Sequence, residues 1–307
     1  MSGSSGLVLG ETGLFDPTAP LKPSGNLRRR MVVNRAVTVI ATAAAAVAVA
    51  ILVIVVYGVI ARGVSSLSLA FVTQTPQGLV GGGIFNYLAG TVEVVALGAV
   101  IALPLGILTG LYLTEFAGPR SRTASLLKLA LDVMQGLPTI VVGLFIYGLI
   151  VIPQHRQSGF AASLALAIVM VPLMARSSQE VLLLVPNSLR EAADALGVSR
   201  WRTVLSVILP AALGGIATGA ILAIARAAGE TAPVLICNSL YNPDKTTLNI
   251  FHGVPTVPML IYTSVDLPIP QAIARAWGAA LVLMLIILIA NIGARVMLAR
   301  TRAKMGT

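Results

Sequence analysis

The sequence predicts an all-α integral membrane protein with six transmembrane helices, and three observations lead to this fold class. Of the 307 residues, 57% are hydrophobic and 10% are charged, against about 25% charged in a typical soluble domain. The mean hydropathy is +0.92, so a soluble fold of this length could not cover its apolar surface with polar side chains. Six uncharged runs are also long enough to cross a bilayer, and most basic residues lie on one set of the alternating segments between them.

Each predicted span is an uncharged run of about 18 residues or more, the length that a helix needs to cross the hydrocarbon core. The six runs are 36–61, 94–114, 133–154, 157–175, 203–225 and 276–294. A shorter apolar stretch, 232–240, follows the fifth run after Arg226 and Glu230. We predict that this stretch continues the fifth helix, and a re-entrant segment is the alternative.

These spans divide the chain into a membrane core and its flanking segments. Residues 1–35 are rich in Gly, Ser and Pro and lack a hydrophobic period, which predicts a flexible cytoplasmic tail. The run 36–61 is longer than the apolar region of a cleaved signal peptide, so we expect an uncleaved first transmembrane helix. Residues 62–87 form an external segment, residues 88–296 the core with a cytoplasmic loop at 176–202, and residues 297–307 a second tail.

The net charge of +10 reports orientation in the membrane. If the N-terminus is cytoplasmic, 16 of the 21 Lys and Arg residues lie on inside segments, four lie on outside segments, and Arg226 lies within the extended fifth span. This bias is typical of the positive-inside pattern and predicts that both termini are cytoplasmic. Because the membrane explains the basic excess, we expect lipid around the spans and no nucleic-acid partner.

Motifs for nucleotide binding and covalent catalysis are missing from the sequence. Each of the four lysines follows a residue other than glycine, which excludes a P-loop, and there is no G-x-S-x-G elbow. Cys237 is the single cysteine, so no disulfide forms within the chain, and His155 and His252 lack metal-ligand spacing. We therefore expect no catalytic residue, cofactor or metal, and we expect any energy source to be on another chain.

The loop at 176–202 has the pattern of a short amphipathic helix. Ser188 and Glu191 form a capping box after Pro186, and Gly197 suits the left-handed residue that ends a helix. Apolar residues recur at helical spacing on one face: Leu189, Ala192, Ala193 and Leu196. The other face is charged: Arg190, Glu191 and Asp194. Such a helix either lies on its own bundle or docks on a cytoplasmic partner.

The loop residues resemble the EAA motif of ABC importer permeases, E-A-A-x3-G-x9-I-x-L-P. The matching residues are Glu191, Ala192, Ala193, Gly197, Leu209 and Pro210. Val207 stands where the pattern has isoleucine. The resemblance implies that this helix enters a cleft on a separate ATPase subunit and transmits its nucleotide-driven closure.

Three further segments narrow the resemblance to the phosphate-specific permeases. They are GGIFNYLAGT at 82–91, GLPTIVVGLF at 136–145 and IARAAGETAP at 224–233, and the GETAP ending is closer to the PstA-type subunit than to the PstC-type. The likeness covers roughly residues 81–295. It implies a type I ABC importer permease fold in the bacterial plasma (inner) membrane, with a PstC-like second permease, PstB-like ATPase subunits and an external PstS-like phosphate-binding protein as partners.

Arg226 and Glu230 form a charged pair in the predicted fifth span, four residues apart and therefore on one helix face. Arginine at the centre of a transmembrane helix costs about 2.5–3.5 kcal/mol, so the pair either locks helices together or lines a polar path. The predicted depth of the pair in the membrane depends on where the helix starts. The pair is near the middle if the helix runs over 210–240, and nearer the outer surface if it is counted from residue 203. The resemblance implies that Arg226 and Glu230 border the route of phosphate, and that Arg176 is a second basic position. Thr231 either donates a hydroxyl there or packs helices.

The sequence thus predicts a non-catalytic permease subunit of an ATP-driven importer of inorganic phosphate. Two alternatives stay open. The same architecture could import another oxyanion, such as sulfate or molybdate, or another solute. An ion-coupled secondary carrier could instead use Arg226 and Glu230 as a proton relay. A sensory membrane protein is a third class, but it does not explain the EAA spacing.

Overall fold

A computed structural model describes residues 26–78, 80–118, 120–239 and 249–305. The chain divides into two compact units, residues 1–57 and residues 58–307. The first unit consists, where it is described, of most of helix α1, which runs over Leu27–Gly63. It contains the predicted first span, and it starts nine residues before that span, so residues 27–35 of the predicted tail are helical. The hydroxyls of Thr38 and Thr42 donate to backbone carbonyls one turn earlier, at 2.9 and 2.8 Å.

The second unit contains the other helices and one small hairpin. The helices are α2 Leu69–Thr73, α3 Phe85–Leu111, α4 Arg122–Gly136, α5 Thr139–Ile146, α6 Ile152–Gln154, α7 Gly159–Leu183, α8 Asn187–Ala195, α9 Arg200–Thr203, α10 Leu209–Ala228, α11 Ala232–Cys237, α12 Val257–Val265 and α13 Pro270–Met305. Wider, π-type turns extend three of them at Tyr112–Phe116, Tyr147–Val151 and Val204–Ile208. The hairpin pairs β1 Pro76–Gln77 with β2 Gly81–Gly82 in antiparallel register.

Five of these helical stretches are long and apolar enough to cross a membrane, and the count is six if the bent α4–α6 segment is one span. The predicted all-α membrane fold is therefore confirmed, with five or six candidate spans among the described residues. A count of six agrees with the prediction that both termini face the cytoplasm, because an even number of crossings returns the chain to the side from which it started.

Helices α3 and α7 form the centre of the second unit and lie side by side in parallel. A Cβ added to Gly106 would lie 2.6 Å from the Cβ of Met174, and one added to Gly110 would lie 2.8 Å from the Cβ of Ser178. Only glycine permits this approach at both positions. The main apolar core extends from this contact to α10 and α11.

The third predicted span, 133–154, is not one straight helix. Helix α4 ends at Gly136, α5 begins at Thr139, and the two axes meet at 101°. Pro138 stands at the break, where its ring cannot continue the hydrogen-bond ladder of α4. The uncharged run therefore predicted which residues are apolar, but it did not predict the sharp bend between α4 and α5.

The fifth predicted span, 203–225, lies within one continuous helical stretch, Arg200–Ala228, but the prediction that 232–240 continues it is wrong. Helix α10 ends at Ala228, residues 229–231 are not helical, and α11 is a separate helix of six residues. The carbonyl oxygen of Cys237 accepts from the Ser158 N–H at 2.9 Å, and that of Ile236 accepts from Gln157 at 2.8 Å. These bonds tie the end of α11 to the start of α7. Leu240 lies outside the described residues.

Two further helix ends differ from the uncharged runs because a single charged residue does not stop a buried helix. Helix α3 begins at Phe85, so Glu93 lies inside it rather than before it. Helix α7 continues to Leu183 past Arg176 and Glu180. The first eight residues of the predicted loop at 176–202 therefore belong to a spanning helix.

Candidate functional site

The outer pair, Arg226 and Glu230, lies where helix five ends. Arg226 is in the last turn of α10 and Glu230 is in the link to α11. The Arg226 Nε lies 3.7 Å from a Glu230 carboxylate oxygen. The whole helical stretch runs over Arg200–Ala228, so the pair is near the outer end of the span and not at its middle.

The two members of the outer pair differ in exposure. The Arg226 side chain is 65% exposed, whereas the Glu230 side chain is 17% exposed. In the chain by itself, Arg226 is therefore not locked between helices, because no described helix covers the face of the last turn on which it lies. Its guanidinium is therefore held loosely by one partner and open on its other sides.

Thr231 immediately precedes α11, beside this pair, and its side chain makes no capping hydrogen bond to that helix. Its Oγ1 approaches only the Gly229 carbonyl, at 3.5 Å. It borders an apolar cleft of about 610 Å³ that is also lined by Tyr262 and Asp266 near the end of α12 and by Met284 of α13. The structure thus places Thr231 next to the outer pair at the mouth of a largely apolar space.

The inner pair joins Arg176 of α7 to Asp132 of α4 in a close ion pair. Arg176 also donates to the Gln179 side chain at 3.3 Å. The Arg176 side chain is 29% exposed and that of Asp132 is 61% exposed. Sequence reasoning found Arg176 but not this partner, because 44 residues separate the two and no local spacing connects them.

The two arginines lie at different levels of the span. Helices α7 and α10 are antiparallel neighbours, since Gly215 lies against Val181 and Gly219 lies against Ser177. Arg226 is seven residues beyond Gly219, and Arg176 is one residue on the outer side of Ser177. At a rise of 1.5 Å per residue, the arginines are about 9 Å apart along the helix axes.

The predicted amphipathic helix exists as α8, with two corrections. It begins at Asn187 after Pro186 and no side chain caps it, so the predicted capping box at Ser188 is wrong, because the helix already includes Ser188. Arg190 does not share an outer face with Glu191. Its side chain is 13% exposed and pairs with Glu115 at the inner end of α3. Gly197 has φ of +69°, and the predicted left-handed helix end is confirmed.

Most of α8 faces outward. Ala193 is its single buried residue, whereas Glu191 and Ala192 are exposed, and Leu196 beyond its end is 81% exposed. Except at Ala193, the apolar face that could have packed on the bundle is therefore open. Leu209 and Pro210, the end of the EAA pattern, lie apart from α8 in the first turn of α10.

These features define a class of protein: a multi-span membrane permease with arginine–carboxylate pairs in its helices and an exposed helix on its cytoplasmic side. The chain belongs to the family of binding-protein-dependent transport system inner membrane components, whose model matches residues 102–303. The resemblance inferred from the motifs is thereby confirmed.

Relatives narrow this class. The chain is 36% identical over 274 residues to the phosphate transport system permease protein PstA of Yersinia pestis, covering 88% of this chain and 91% of that one. It is 37% identical over 288 residues to the phosphate transport system permease protein PstA 1 of Mycobacterium tuberculosis H37Rv, covering 92% of both. It is thus similar to PstA permeases along nearly its whole length, as the GETAP segment indicated.

Solved structures share the fold. An inward-facing structure of the MetNI methionine ABC transporter matches with a TM-score of 0.53 at 19% identity, covering 71% of this chain and 94% of that one. An amino acid ABC transporter with histidines matches with a TM-score of 0.52 at 18% identity, covering 72% and 93%. The predicted type I ABC importer permease fold and the multi-pass location in the bacterial plasma membrane are therefore confirmed.

Proposed function

We propose that the chain is the permease subunit of an ATP-driven importer of inorganic phosphate. The observation that carries this proposal is the presence of two arginine–carboxylate pairs, Arg226 with Glu230 and Arg176 with Asp132, at two levels of neighbouring spanning helices. Relatives along nearly the whole chain are named as phosphate permeases, and phosphate is an anion that such arginines can bind.

The outer pair would bind phosphate by exchange of partners. A guanidinium offers a planar fork of N–H donors that fits phosphate oxygens. Glu230 neutralises Arg226 between transport events, and at 3.7 Å with an exposed arginine their attraction is weak. Phosphate can therefore displace Glu230, and the return of Glu230 then helps to release phosphate.

Arg176 would act as the next position on the path, about 9 Å further inward. Its partner Asp132 is 61% exposed, so a phosphate ion that reaches this level can compete for the guanidinium. Thr231 would supply a hydroxyl beside Arg226 at the outer position. Phosphate would thus meet two arginines in turn, each paired with a carboxylate that phosphate can displace. This arrangement favours transport of phosphate over tight binding.

The segment 191–197 would be the contact with the ATPase. Its exposed face supports docking over packing on its own bundle, and the residues of the proposed coupling element are Glu191, Ala192, Ala193, Gly197, Leu209 and Pro210. ATP binding would close two PstB-like ATPase subunits, draw the segment inward and open the path outward. Hydrolysis would reverse this movement.

The remaining partners would be a PstC-like second permease, which completes the path, and a PstS-like external protein, which delivers phosphate. In this arrangement the chain itself catalyses no covalent step, and ATP is hydrolysed on the partner subunits. Selection of the anion would belong largely to the external protein.

Purification of the intact complex from native membranes tests this proposal. We expect an ATPase and a second permease to accompany the chain, and we expect the external protein that stimulates the complex to bind phosphate. An external protein that binds sulfate or molybdate would show that the anion is wrong. A chain that purifies without an ATPase and takes up solute only with a proton gradient would be a secondary carrier.

A further inference from the structure

A buried carboxylate at the inner end of α3 belongs to neither arginine–carboxylate pair of the proposed path. Glu115 lies in the wide turn Tyr112–Phe116 that extends α3, and its side chain is fully buried. A buried charge is strongly unfavourable without partners, so its surroundings decide what it does.

The first partner of Glu115 is Arg190 of α8. The Arg190 Nη2 donates to Oε1 of Glu115 at 2.7 Å, and Nε lies 3.3 Å from both carboxylate oxygens. The same guanidinium donates to the carbonyls of Leu182 and Val185 at 2.9 and 2.6 Å. Arg190 therefore joins α8 to the inner ends of both α3 and α7.

The second partner is Arg200, at the start of α9. Its Nη2 donates to Oε2 of Glu115 at 3.1 Å, and its Nε donates to the backbone carbonyl of Glu115, also at 3.1 Å. The neighbouring residues Phe116 and Trp201 add a ring contact with centroids 4.6 Å apart. Glu115 thus holds the chain on both sides of the exposed tip at 196–197.

This arrangement makes Glu115 the point where the tip meets the transmembrane helices. Apart from Ala193, α8 itself is not buried. A force on its exposed face therefore reaches α3 mainly through the two guanidinium groups and one carboxylate. Charge-assisted hydrogen bonds of this number and geometry resist shear better than a single apolar contact.

We propose that Glu115 is a positioning residue that makes α8 and the inner end of α3 move as one body, so that movement of the cytoplasmic helix becomes movement of a spanning helix. The proposal rests on the proposed coupling role of the segment 191–197. It assigns Glu115 no contact with phosphate or with ATP.

A distance measurement tests the connection without reference to the substrate. Spin labels are placed on Ser188→Cys at the start of α8, outside the segment 191–197, and on Leu108→Cys, both exposed, in a Cys237→Ala background of the full complex. We expect a narrow distance distribution with and without ATP, and a broader one after Glu115→Gln. Equal widths in the two proteins would overturn the proposal.

A coupling assay tests whether Glu115 links ATP hydrolysis to phosphate transport. In proteoliposomes that hold the complete complex, Glu115→Gln is expected to retain its ATPase subunits but to lower the phosphate transported per ATP hydrolysed at least tenfold. Glu115→Asp keeps the charge and should restore part of the ratio. A wild-type ratio in Glu115→Gln would overturn the proposal. A loss of protein alone would lower both rates together and leave their ratio unchanged, and this outcome also counts against it.

If Glu115→Gln does not fold, Arg200→Gln replaces it in both arms, because Arg190 still neutralises Glu115. Failure of the proposed function would appear differently, as a wild-type complex that accumulates no phosphate. The label distances would then still decide whether Glu115 connects the two helices.

Discussion

Replacing Arg226 by glutamine should slow phosphate uptake by about tenfold to a hundredfold while the amount of permease in the membrane stays the same. A hydrogen bond to a charged group contributes about 1.5–3 kcal/mol, and each 1.4 kcal/mol corresponds to a factor of about ten. The fold loses little, because the Arg226 side chain is 65% exposed and 3.7 Å from Glu230, and exposed pairs contribute about 0.2–1 kcal/mol.

Glu230→Gln should have a smaller effect on uptake. Removing a weak competitor for the guanidinium strengthens phosphate binding by about the energy of the exposed pair, so we expect slower release and a rate lowered about twofold to fivefold. The assay is the initial rate of radioactive phosphate uptake, normalised to permease in the membrane. Arg30→Gln, the same chemical change at the cytoplasmic end of α1, is the control and should leave the rate unchanged. Wild-type rates in both Arg226→Gln and Glu230→Gln would refute the exchange of partners.

Three further predictions concern the coupling tip and the core. Gly197→Ala should weaken ATPase association about fivefold to thirtyfold in a binding assay, because a left-handed residue with a side chain costs about 1–2 kcal/mol. Gly197→Asn should retain most of the affinity. An equal loss of affinity in both variants would contradict this explanation. Leu196→Asp should reduce co-purification of the ATPase about tenfold or more without changing the melting temperature of the permease, since the side chain is 81% exposed. Gly90→Ala should destabilise the permease by about 1–3 kcal/mol in detergent melting, because the new Cβ would overlap the Pro255 carbonyl oxygen, whereas Gly148→Ala, with open space around it, should melt like the wild type.

The sequence predicted the fold class well because the bilayer imposes a simple rule. A spanning segment must be apolar over about 20 residues and must satisfy its own backbone, so composition alone locates it. The close contact of α3 with α7 at Gly106 and Gly110, by contrast, became known only from the structure.

Helix ends and breaks were less predictable. The uncharged run 94–114 begins just after Glu93, whereas α3 begins eight residues before Glu93, at Phe85. The helix extends further because it packs on its other face and tolerates one partly exposed carboxyl group. The bend of 101° at Pro138 depends on what α5 packs against, and hydropathy carries no information about that contact.

The partners of the charged residues could be predicted only where both residues are neighbours on one chain segment. Spacing identified Arg226 with Glu230 because they are four residues apart on one chain segment. Glu115 contacts Arg190 and Arg200 across 75 and 85 residues, and nothing local marks such a pair. The same lack of information led to the wrong placement of Arg190 on the outer face of α8.

ATP-driven phosphate accumulation by the reconstituted complex tests the central claim most directly. Proteoliposomes would contain this chain with its second permease and ATPase subunits, with the external binding protein on the outside and ATP inside. We predict accumulation of phosphate that requires ATP, persists when the proton gradient is collapsed and is absent with sulfate in place of phosphate. Uptake that needs the proton gradient and not ATP, or that transports sulfate equally well, would contradict the account.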